Sequence, residues 1–315
     1  MKALNSIKCF NERLIDYAGL FPPASLDLQT SYSNYIKYKQ SEYAWMLSRF
    51  ICPVKLLPAL ETIINQNLSE KFSVSVITTA AKLESDFKNN FINDFNICNS
   101  FIKKNGNFKI DMVETKLPDG DKISYSDCVS FAVSSLQKEF SDPAFIFFEG
   151  NSGENWKQSS DAIINSISTM NEQNLNSGFK LRTGGTSPEA FPESEQIAFC
   201  IRECLDRKVP MKFTAGLHHP YRHYDLNLKS MMHGFVNVFG AGIIAMTHNI
   251  SNDGLIEILN DERPGNFIFT ENYFSWKDWK VETQDIVYAR ENLVTSFGSC
   301  SFDEPIEDLQ TLHLL

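Results

Sequence analysis

The sequence lacks an excess of positive charge, a long apolar run and an apolar segment near its amino terminus. Its 315 residues include 29 Lys and Arg against 39 Asp and Glu, which gives a net charge of −10 at pH 7. No nucleic-acid partner is expected, because phosphate binding requires a basic face. No apolar run reaches the roughly 18 residues of a membrane span, so no membrane contact is expected. The first residues, MKALNSIKCFNERLIDY, carry charges where a signal peptide is apolar, which predicts a cytoplasmic location.

Cysteine motifs and domain linkers are also missing. The seven cysteines are scattered, no C-x-x-C pair occurs, and Cys200 and Cys204 stand one helical turn apart. We interpret them as structural thiols in a reducing compartment rather than as a disulfide framework or a redox or metal site. No Pro-, Ser- or Gly-rich linker divides the chain, and 43% of its residues are hydrophobic. A single domain over residues 1–315 is therefore predicted.

What the sequence does contain is a series of short apolar runs at a nearly constant interval. Seven runs begin about 27 to 36 residues apart, at 13–21, 45–54, 72–79, 108–115, 143–149, 178–183 and 209–216. This interval is the length of one strand-and-helix unit in a parallel sheet. Between the runs, apolar residues recur at helical spacing in 56–67, 125–140, 159–170 and 193–205. The pattern predicts a (β/α)8 TIM-type barrel, with an open doubly wound sheet as the alternative.

The eighth strand of this barrel has two candidates. Residues 266–270 (NFIFT) are the better strand by residue type, and residues 294–299 (VTSFGS) are the other. Residues 226–247 and 253–260 have helical patterns and together exceed a single crossover. We therefore predict a helical insertion after strand seven and a C-terminal extension.

The segment FKLRTGGT has the pattern of a short buried strand that ends in a glycine turn. Lys180 and Arg182 share one face of this strand, and Gly184 and Gly185 allow a sharp turn after it. Residues 187–189 (SPE) follow with the pattern of a helix start that has proline in the first turn. Two cations followed by backbone N–H groups at a helix N-terminus predict an anion site.

The segment VPMKFTAGLHH repeats this arrangement 32 residues later, with Lys212 in the position of Lys180. A lysine inside an apolar strand must pair with a carboxylate or lose its proton, because a buried unpaired ammonium is costly. In a parallel barrel the active site lies at the carboxyl ends of the strands. The other charged residues expected there are Asp16 on strand one, Arg49 on strand two, Asp111 or Glu114 on strand four, and Glu149 on strand five.

Four of these segments resemble the strands of a known enzyme family. K-L-R-T-G at Lys180 resembles the K-x-x-T-G strand of class I aldolases of the deoxyribose-phosphate aldolase type, and M-K-F-T-A-G around Lys212 resembles that family's next strand. I-D-M-V around Asp111 and F-I-F-F-E-G around Glu149 are similar to two earlier strands, in the family's order. The resemblance covers about a third of the chain, residues 108–216. It implies that Lys180 forms a Schiff base, that Lys212 perturbs it, and that Asp111 is the catalytic aspartate.

The chain also departs from that family's pattern. Arg182 replaces a small residue of the family strand, and the predicted insertion displaces the expected glycine-serine phosphate loop. The segment FGSCS at 297–301 is only faintly similar to that loop, and the family has no counterpart of HHPYRH. The resemblance therefore leaves the substrate open.

The histidines of HHPYRH support a second interpretation, a metal-dependent lyase or isomerase. His218 and His219 could hold one divalent ion with Glu149, Glu114 or Asp16, although their spacing matches no standard zinc motif. Either histidine could instead act as an acid, a base or a hydrogen-bonding group for the substrate.

A third interpretation is a barrel without catalytic activity, in which Arg49, Arg182 and Arg222 bind a small anion. We favour a carbon–carbon lyase, or aldolase, that acts on a small anionic carbonyl compound through Lys180 and needs no cofactor. The residues expected to catalyse are Lys180, Lys212, Asp111 and Glu149. Those expected to bind the substrate are Arg182, Gly184, Gly185, Asp16, Arg49, His218, His219 and Arg222.

Overall fold

The computed structural model describes residues 3–64, 72–120, 123–140, 144–150, 153–173 and 175–315. The strands within these ranges are β1 (Ile15–Tyr17), β2 (Leu47–Pro53), β3 (Phe72–Ile77), β4 (Phe108–Lys116), β5 (Phe145–Glu149), β6 (Ser177–Arg182), β7 (Met211–Thr214), β8 (His223–Asp225), β9 (Ser230–Met232), β10 (Phe267–Phe269), β11 (Tyr273–Trp276), β12 (Trp279–Glu282) and β13 (Val294–Ser299). Strands β1 to β7 and β13 are parallel and close into a barrel, with β13 between β7 and β1. The predicted TIM-type barrel is confirmed.

Helices separate the barrel strands along the chain. In the described residues they are α1 (Asn5–Asn11), α2 (Leu28–Lys39), α3 (Leu57–Ile63), α4 (Glu84–Lys104), α5 (Tyr125–Glu139), α6 (Trp156–Asn171), α7 (Ser194–Asp206), α8 (Phe235–Thr247), α9 (Asn252–Asn260), α10 (Thr283–Asn292) and α11 (Asp303–Thr311). None of the helices in this part of the chain is both long and apolar enough to cross a membrane. Two parts of the predicted elements lie outside the described ranges. They are residue 143, the predicted start of the fifth strand, and residues 65–67, the end of the first predicted helix.

The eighth barrel strand is β13, so the second of the two sequence candidates is the correct one. The first candidate contains β10, which pairs antiparallel with β11 in a separate three-stranded sheet. Residues 215–293, all of them described, form the insertion after β7, which contains α8 to α10 and also the short strands β8 to β12. The predicted helix at 226–247 is α8 alone, because the chain first pairs β8 with β9. The helix after β13, α11, makes up the C-terminal extension.

The alternation of side chains along β6 explains how the barrel has both an apolar shell and a charged interior. Phe179 and Leu181 are buried in the hydrophobic core, whereas Lys180 and Arg182 project from the opposite face. Burial of the apolar set fixes this orientation, since a slip of one residue would move both lysine and arginine into the apolar layer. The charged face of the strand is therefore directed into the barrel.

Strand β4 contains a β-bulge, which interrupts the regular alternation of its side chains between the two faces of the sheet. Val74 of β3 lies opposite Ile110, but the next residue, Ser75, lies opposite Met112, so that Asp111 is skipped in the pairing. Such a bulge shifts the side chains that follow it by one position relative to the neighbouring strand. It occurs in the strand that supplies the central carboxylate of the site.

Candidate active site

Lys180 and Lys212 lie directly opposite each other on β6 and β7. Both are almost completely buried, with 3% and 0% of the residue exposed. Glu114 of β4 bridges them, because its Oε2 lies 2.8 Å from Lys180 Nζ and its Oε1 lies 2.7 Å from Lys212 Nζ. The two lysines therefore share one carboxylate inside the barrel, as a buried ammonium requires.

The lysines belong to a continuous series of eight charged side chains of alternating sign, which we call the charge chain. In order, its members are Asp111, Arg49, Asp16, Lys212, Glu114, Lys180, Glu149 and Arg182. The successive nitrogen–oxygen distances are 2.7, 3.8, 2.6, 2.7, 2.8, 2.9 and 3.2 Å. Four carboxylates balance four cations, so the eight side chains of the charge chain have a formal net charge of zero.

Hydroxyl groups and cations keep the buried carboxylates charged. Ser75 Oγ donates to Glu114 at 2.6 Å, and Ser296 Oγ donates to Asp16 at 2.7 Å. Burial alone would raise the pKa of Glu114, but the ammonium groups of Lys180 and Lys212 hold it well below its usual range. The pKa of Asp16 is lowered in the same way by Lys212 and Arg49, against the effect of its burial.

The pKa of Lys180 shows which of the two outcomes expected for a buried lysine applies, pairing with a carboxylate or loss of the proton. Burial alone would lower this pKa. The carboxylates of Glu114 and Glu149 outweigh burial, however, and the pKa of Lys180 is raised above its ordinary value. Glu149, held between Lys180 and Arg182, has a lowered pKa despite its burial. Lys180 is therefore a charged ammonium at neutral pH in this structure.

Of the two carboxylates on β4, Glu114 contacts the lysines and Asp111 does not. Asp111 accepts hydrogen bonds from Arg49 Nε at 2.7 Å and from Arg49 Nη2 at 3.3 Å, and it contacts neither lysine. The two carboxylates are three positions apart, so a regular strand would direct them to opposite faces. The skipped pairing at Asp111 is the reason that both belong to the charge chain. Asp111, which the family resemblance implies is the catalytic aspartate, therefore contacts Arg49, and the alternative on the same strand, Glu114, contacts the two lysines.

The glycine turn after β6 has a packing role. A Cβ atom on Gly184 would lie 2.7 Å from the Cα of Gly216, and one on Gly185 would lie 2.6 Å from the Cβ of Ala190. Gly216 has φ +77°, a conformation that favours glycine. Residues 188–190 form only a short 3-10 turn, and α7 begins at 194. The helix start predicted at 187–189 is therefore present, with proline at its first position, but it is a single 3-10 turn that ends before α7 begins.

Arg182 remains the cation of the charge chain that is open to solvent. Its side chain is 40% exposed, and its Nε and Nη2 each donate to Glu149 Oε1 at 3.2 Å. Arg222, in contrast, lies in the insertion, where Nη1 is 3.1 Å from Nδ1 of the buried His233 and its backbone N–H donates to Asn237. Arg222 makes no ion pair with the members of the charge chain, all of which are described.

The two adjacent histidines bind different residues of α11. His218 Nδ1 is 2.8 Å from Glu304 and its Nε2 is 3.9 Å from Cys300 Sγ, whereas His219 Nδ1 is 2.6 Å from Asp308. We call these five residues the rim cluster, since they follow the carboxyl ends of β7 and β13. The histidines do not converge on one carboxylate. Across the residues that the structure describes, no group of three His, Cys, Asp or Glu side chains is placed to hold a metal ion.

Seven of the eight members of the charge chain were predicted from the sequence as site residues, and the eighth, Glu114, was predicted as an alternative to Asp111. The serines that donate to its carboxylates, Ser75 and Ser296, carried no recognisable signal because a single serine in a strand is common. The pairing of Cys300 with His218 was also missed. Cys300 and His218 are 82 positions apart in the sequence, and the pairing of β7 with β13 brings them together.

Comparison with solved structures finds similar folds at low sequence identity. A deoxyribose phosphate aldolase from Aeropyrum pernix, described as having a unique tetrameric structure, matches with 8% identity and a TM-score of 0.49, over 98% of this chain and 93% of that one. The chitinase ChiW from Paenibacillus sp. str. FPU-7 matches with 13% identity and a TM-score of 0.37, over 97% of this chain and 32% of that one. No protein-family model and no curated protein sequence matches the chain. At these identities and TM-scores, neither match assigns the chain to a family or to an activity.

Proposed function

We propose that the protein is a carbon–carbon lyase of the aldolase type, which acts on a small anionic carbonyl compound through Lys180. The observation that carries the proposal is the position of the Lys180 amine, 2.8 Å from Glu114 and 2.9 Å from Glu149, in the strand that ends with Arg182. Amine catalysis needs a nucleophilic amine and a proton acceptor beside it, and an anionic substrate also needs a cation. These three groups meet at the carboxyl end of the barrel, where the sites of such barrels lie.

The carboxylates supply the proton transfers of the proposed reaction. Lys180 first gives a proton to Glu149, and its neutral amine adds to the carbonyl carbon of the substrate. A proton of the attached nitrogen then passes to the former carbonyl oxygen, which becomes a hydroxyl. The protonated Glu149 then returns its proton to the new hydroxyl, which leaves as water, so that a protonated Schiff base remains. Cleavage of the adjacent carbon–carbon bond places its electron pair in an enamine, while a carboxylate accepts the hydroxyl proton of the departing aldehyde. The enamine takes up this proton at carbon, and water releases the second product.

The charge balance of the site is consistent with this sequence. The protonated Schiff base carries one positive charge, as the Lys180 ammonium does. Glu114 and Glu149 therefore keep a cationic partner when the intermediate forms, and no unpaired charge is left in the buried site. Lys212, which is itself paired with Asp16, contacts Glu114 from the other side. Arg182, the exposed cation, is the group we assign to the substrate anion.

Borohydride trapping tests the proposal. The protein is incubated with small phosphorylated or carboxylated aldehydes and ketones, reduced, and mapped by mass spectrometry. An adduct is expected on Lys180, because reduction fixes a Schiff base as a stable amine. It should be absent in Lys180→Met and present in Lys116→Met, which removes an exposed lysine at the end of β4. A compound that turns over while Lys180 stays unmodified would contradict the proposal.

The pH dependence of trapping tests the role of the carboxylates. Since Glu114 raises the pKa of Lys180, Glu114→Gln should lower it and allow the adduct to form at lower pH than in the wild type. Lys212→Met should act in the opposite direction, because Glu114 then has Lys180 as its one close cation. Identical pH profiles for the three proteins would show that these groups do not control the amine.

A barrel that binds a small anion without catalysis is the second candidate. It is favoured by the complete pairing of the charge chain, in which Lys180 is held as an ammonium. In that case calorimetry should detect binding of inorganic phosphate or acetate that is lost in Arg182→Gln. No compound in the trapping experiment should then modify Lys180.

A further inference from the structure

Cys300 occupies a position that its fellow cysteines do not. It directly follows β13, and its Sγ lies 3.9 Å from Nε2 of His218, in the loop after the neighbouring strand β7. Nδ1 of the same imidazole is 2.8 Å from Glu304 Oε2, in the first turn of α11. A thiol, an imidazole and a carboxylate thus stand in series at the carboxyl end of the barrel.

We propose that Cys300, His218 and Glu304 form a thiol nucleophile site that adds to an electrophilic carbonyl carbon, such as that of an aldehyde. A nucleophile beside a base that is itself oriented by a third group is the arrangement that activates a weak nucleophile. The sulfur–nitrogen distance of 3.9 Å is long, as is common for such pairs before a ligand binds. The site shares no residue with the charge chain and does not depend on the reaction proposed for Lys180.

The remaining cysteines provide the contrast. Cys52, Cys98, Cys200 and Cys204 are fully buried, and burial raises the pKa of each thiol. Such thiols are inert because they are protonated and inaccessible. Cys300 is 9% exposed, and of these five it alone has a histidine contact in the described structure.

The orientation of His218 suits the role of a base. A hydrogen bond from Nδ1–H to the Glu304 carboxylate leaves the lone pair of Nε2 directed toward the sulfur. Burial would lower the pKa of His218, but its interactions with Cys300 and Glu304 raise it to about 9, so the imidazole binds a proton strongly and can hold the one that the thiol gives up. The charged and titratable groups around the pair also include His219 from the same loop and Tyr17 from β1.

The chemical step balances without an oxidant or a leaving group. His218 Nε2 accepts the thiol proton, and the sulfur forms a bond to the carbonyl carbon while the π electron pair moves to oxygen. The imidazolium then gives its proton to that oxygen, and the product is a hemithioacetal. The reverse sequence releases the aldehyde, so capture is reversible.

Limited alkylation by iodoacetamide at pH 7 tests the activation of the thiol. Peptide mapping compares Cys300 with Cys9, which is more exposed and has no imidazole contact among its described partners. Cys300 should react faster than Cys9, and His218→Asn should slow it by at least about tenfold while Cys9 is unchanged. Glu304→Gln should give a smaller reduction. A Cys300 rate that equals or falls below that of Cys9, or that does not change in a folded His218→Asn protein, would overturn the proposal.

Protection by propanal tests the carbonyl part of the proposal. Preincubation with the aldehyde should slow alkylation of Cys300 in the wild type and should have no effect in His218→Asn. Because the readout is the Cys300 peptide, the result is independent of any adduct on Lys180, and Lys180→Met should show the same protection. Unchanged alkylation of Cys300 in the presence of propanal would rule out carbonyl capture.

Discussion

The charge chain and the rim cluster use the same kinds of side chain in opposite surroundings. In the charge chain, Asp16 and Lys212 are fully buried and touch at 2.6 Å. In the rim cluster, the Glu304 side chain is 50% exposed, and His219 and Asp308 are also open to water. Water can solvate an unpaired group at the rim, whereas in the interior every charge depends on another side chain.

This difference in burial determines which changes of charge each region can accommodate. Each interior carboxylate and lysine has two ionic partners, so any change of charge must be matched by a neighbour. Only chemistry that conserves charge, such as conversion of an ammonium to a protonated Schiff base, suits the interior. The rim cluster can change its protonation state at modest cost, which suits acid–base or thiol chemistry.

The largest effect is expected for Lys212→Met. This substitution leaves Asp16 and Glu114 with one fewer buried cation, and breaking a buried pair in this way costs about 3 to 5 kcal/mol. The free energy of unfolding in urea should fall by about that amount. Methionine retains the volume and apolar character of the lysine stem, so the loss reports the charge rather than a cavity.

The double variant Lys212→Met/Asp16→Asn is the control for that prediction. It removes a carboxylate together with the cation and should recover part of the lost stability, as a double-mutant cycle measures. If the double variant is as unstable as the sum of the two single variants, the interaction between Lys212 and Asp16 does not carry the effect.

The barrel itself could be predicted from the spacing of apolar runs, since each strand must bury an apolar face against a helix. The eighth strand could not. Residues 266–270 have the better strand pattern by residue type, yet 294–299 form the eighth strand, because a pattern of this kind does not say which sheet a strand joins. The short strands of the insertion were missed for a related reason. The hairpin of β8 and β9 is too short to show an alternating pattern.

The residues of the site were predictable where a charge interrupts an apolar strand, as at Lys180 and Lys212. Their protonation was not, because the pKa of Lys180 depends on two carboxylates from other strands. The sequence could not show that Asp111 and Glu114 both belong to the charge chain, for a geometric reason. Strict alternation allows only one of them on the inner face, and the skipped pairing that admits both depends on β3, not on the sequence of β4 alone.

Acid should destabilise the protein through the charge chain. The pKa values of Asp16, Glu114 and Glu149 are lowered in the folded state. Their stabilisation is therefore present above the unfolded pKa of about 4 and is lost as pH falls through the lower folded values. One such carboxylate contributes about 2 to 3 kcal/mol, so the free energy of unfolding should decrease by at least that amount between pH 5 and pH 2. Asp16→Asn should show a smaller decrease, and equal slopes in the two proteins would contradict this account.

Alkali should act on the rim cluster with the opposite sign. The pKa of His218 is raised to about 9 in the folded protein, from an ordinary value near 6.5. Its contribution is complete below about pH 6.5 and is lost as pH rises through 9, with a size of about 1 to 2 kcal/mol given the exposure of Glu304. The thermal midpoint should fall between pH 7 and pH 9.5 in the wild type and less in His218→Asn. A fall of the same size in both proteins would assign it to other groups.

The smallest effect is expected for His219→Asn. His219 Nδ1 lies 2.6 Å from Asp308 Oδ2, but the two side chains are 40% and 35% exposed. Water can therefore solvate Asp308 when the imidazole is removed, and little stabilising energy is lost. Exposed pairs of this kind contribute about 0 to 1 kcal/mol, and salt weakens them further. The unfolding free energy of His219→Asn should therefore lie within about 1 kcal/mol of the wild type, and the difference should shrink at high ionic strength. Asp308→Asn is the matched change on α11 and should behave alike. A loss as large as that of Lys212→Met would mean that the rim cluster holds the barrel closed, and would remove the distinction between the two regions.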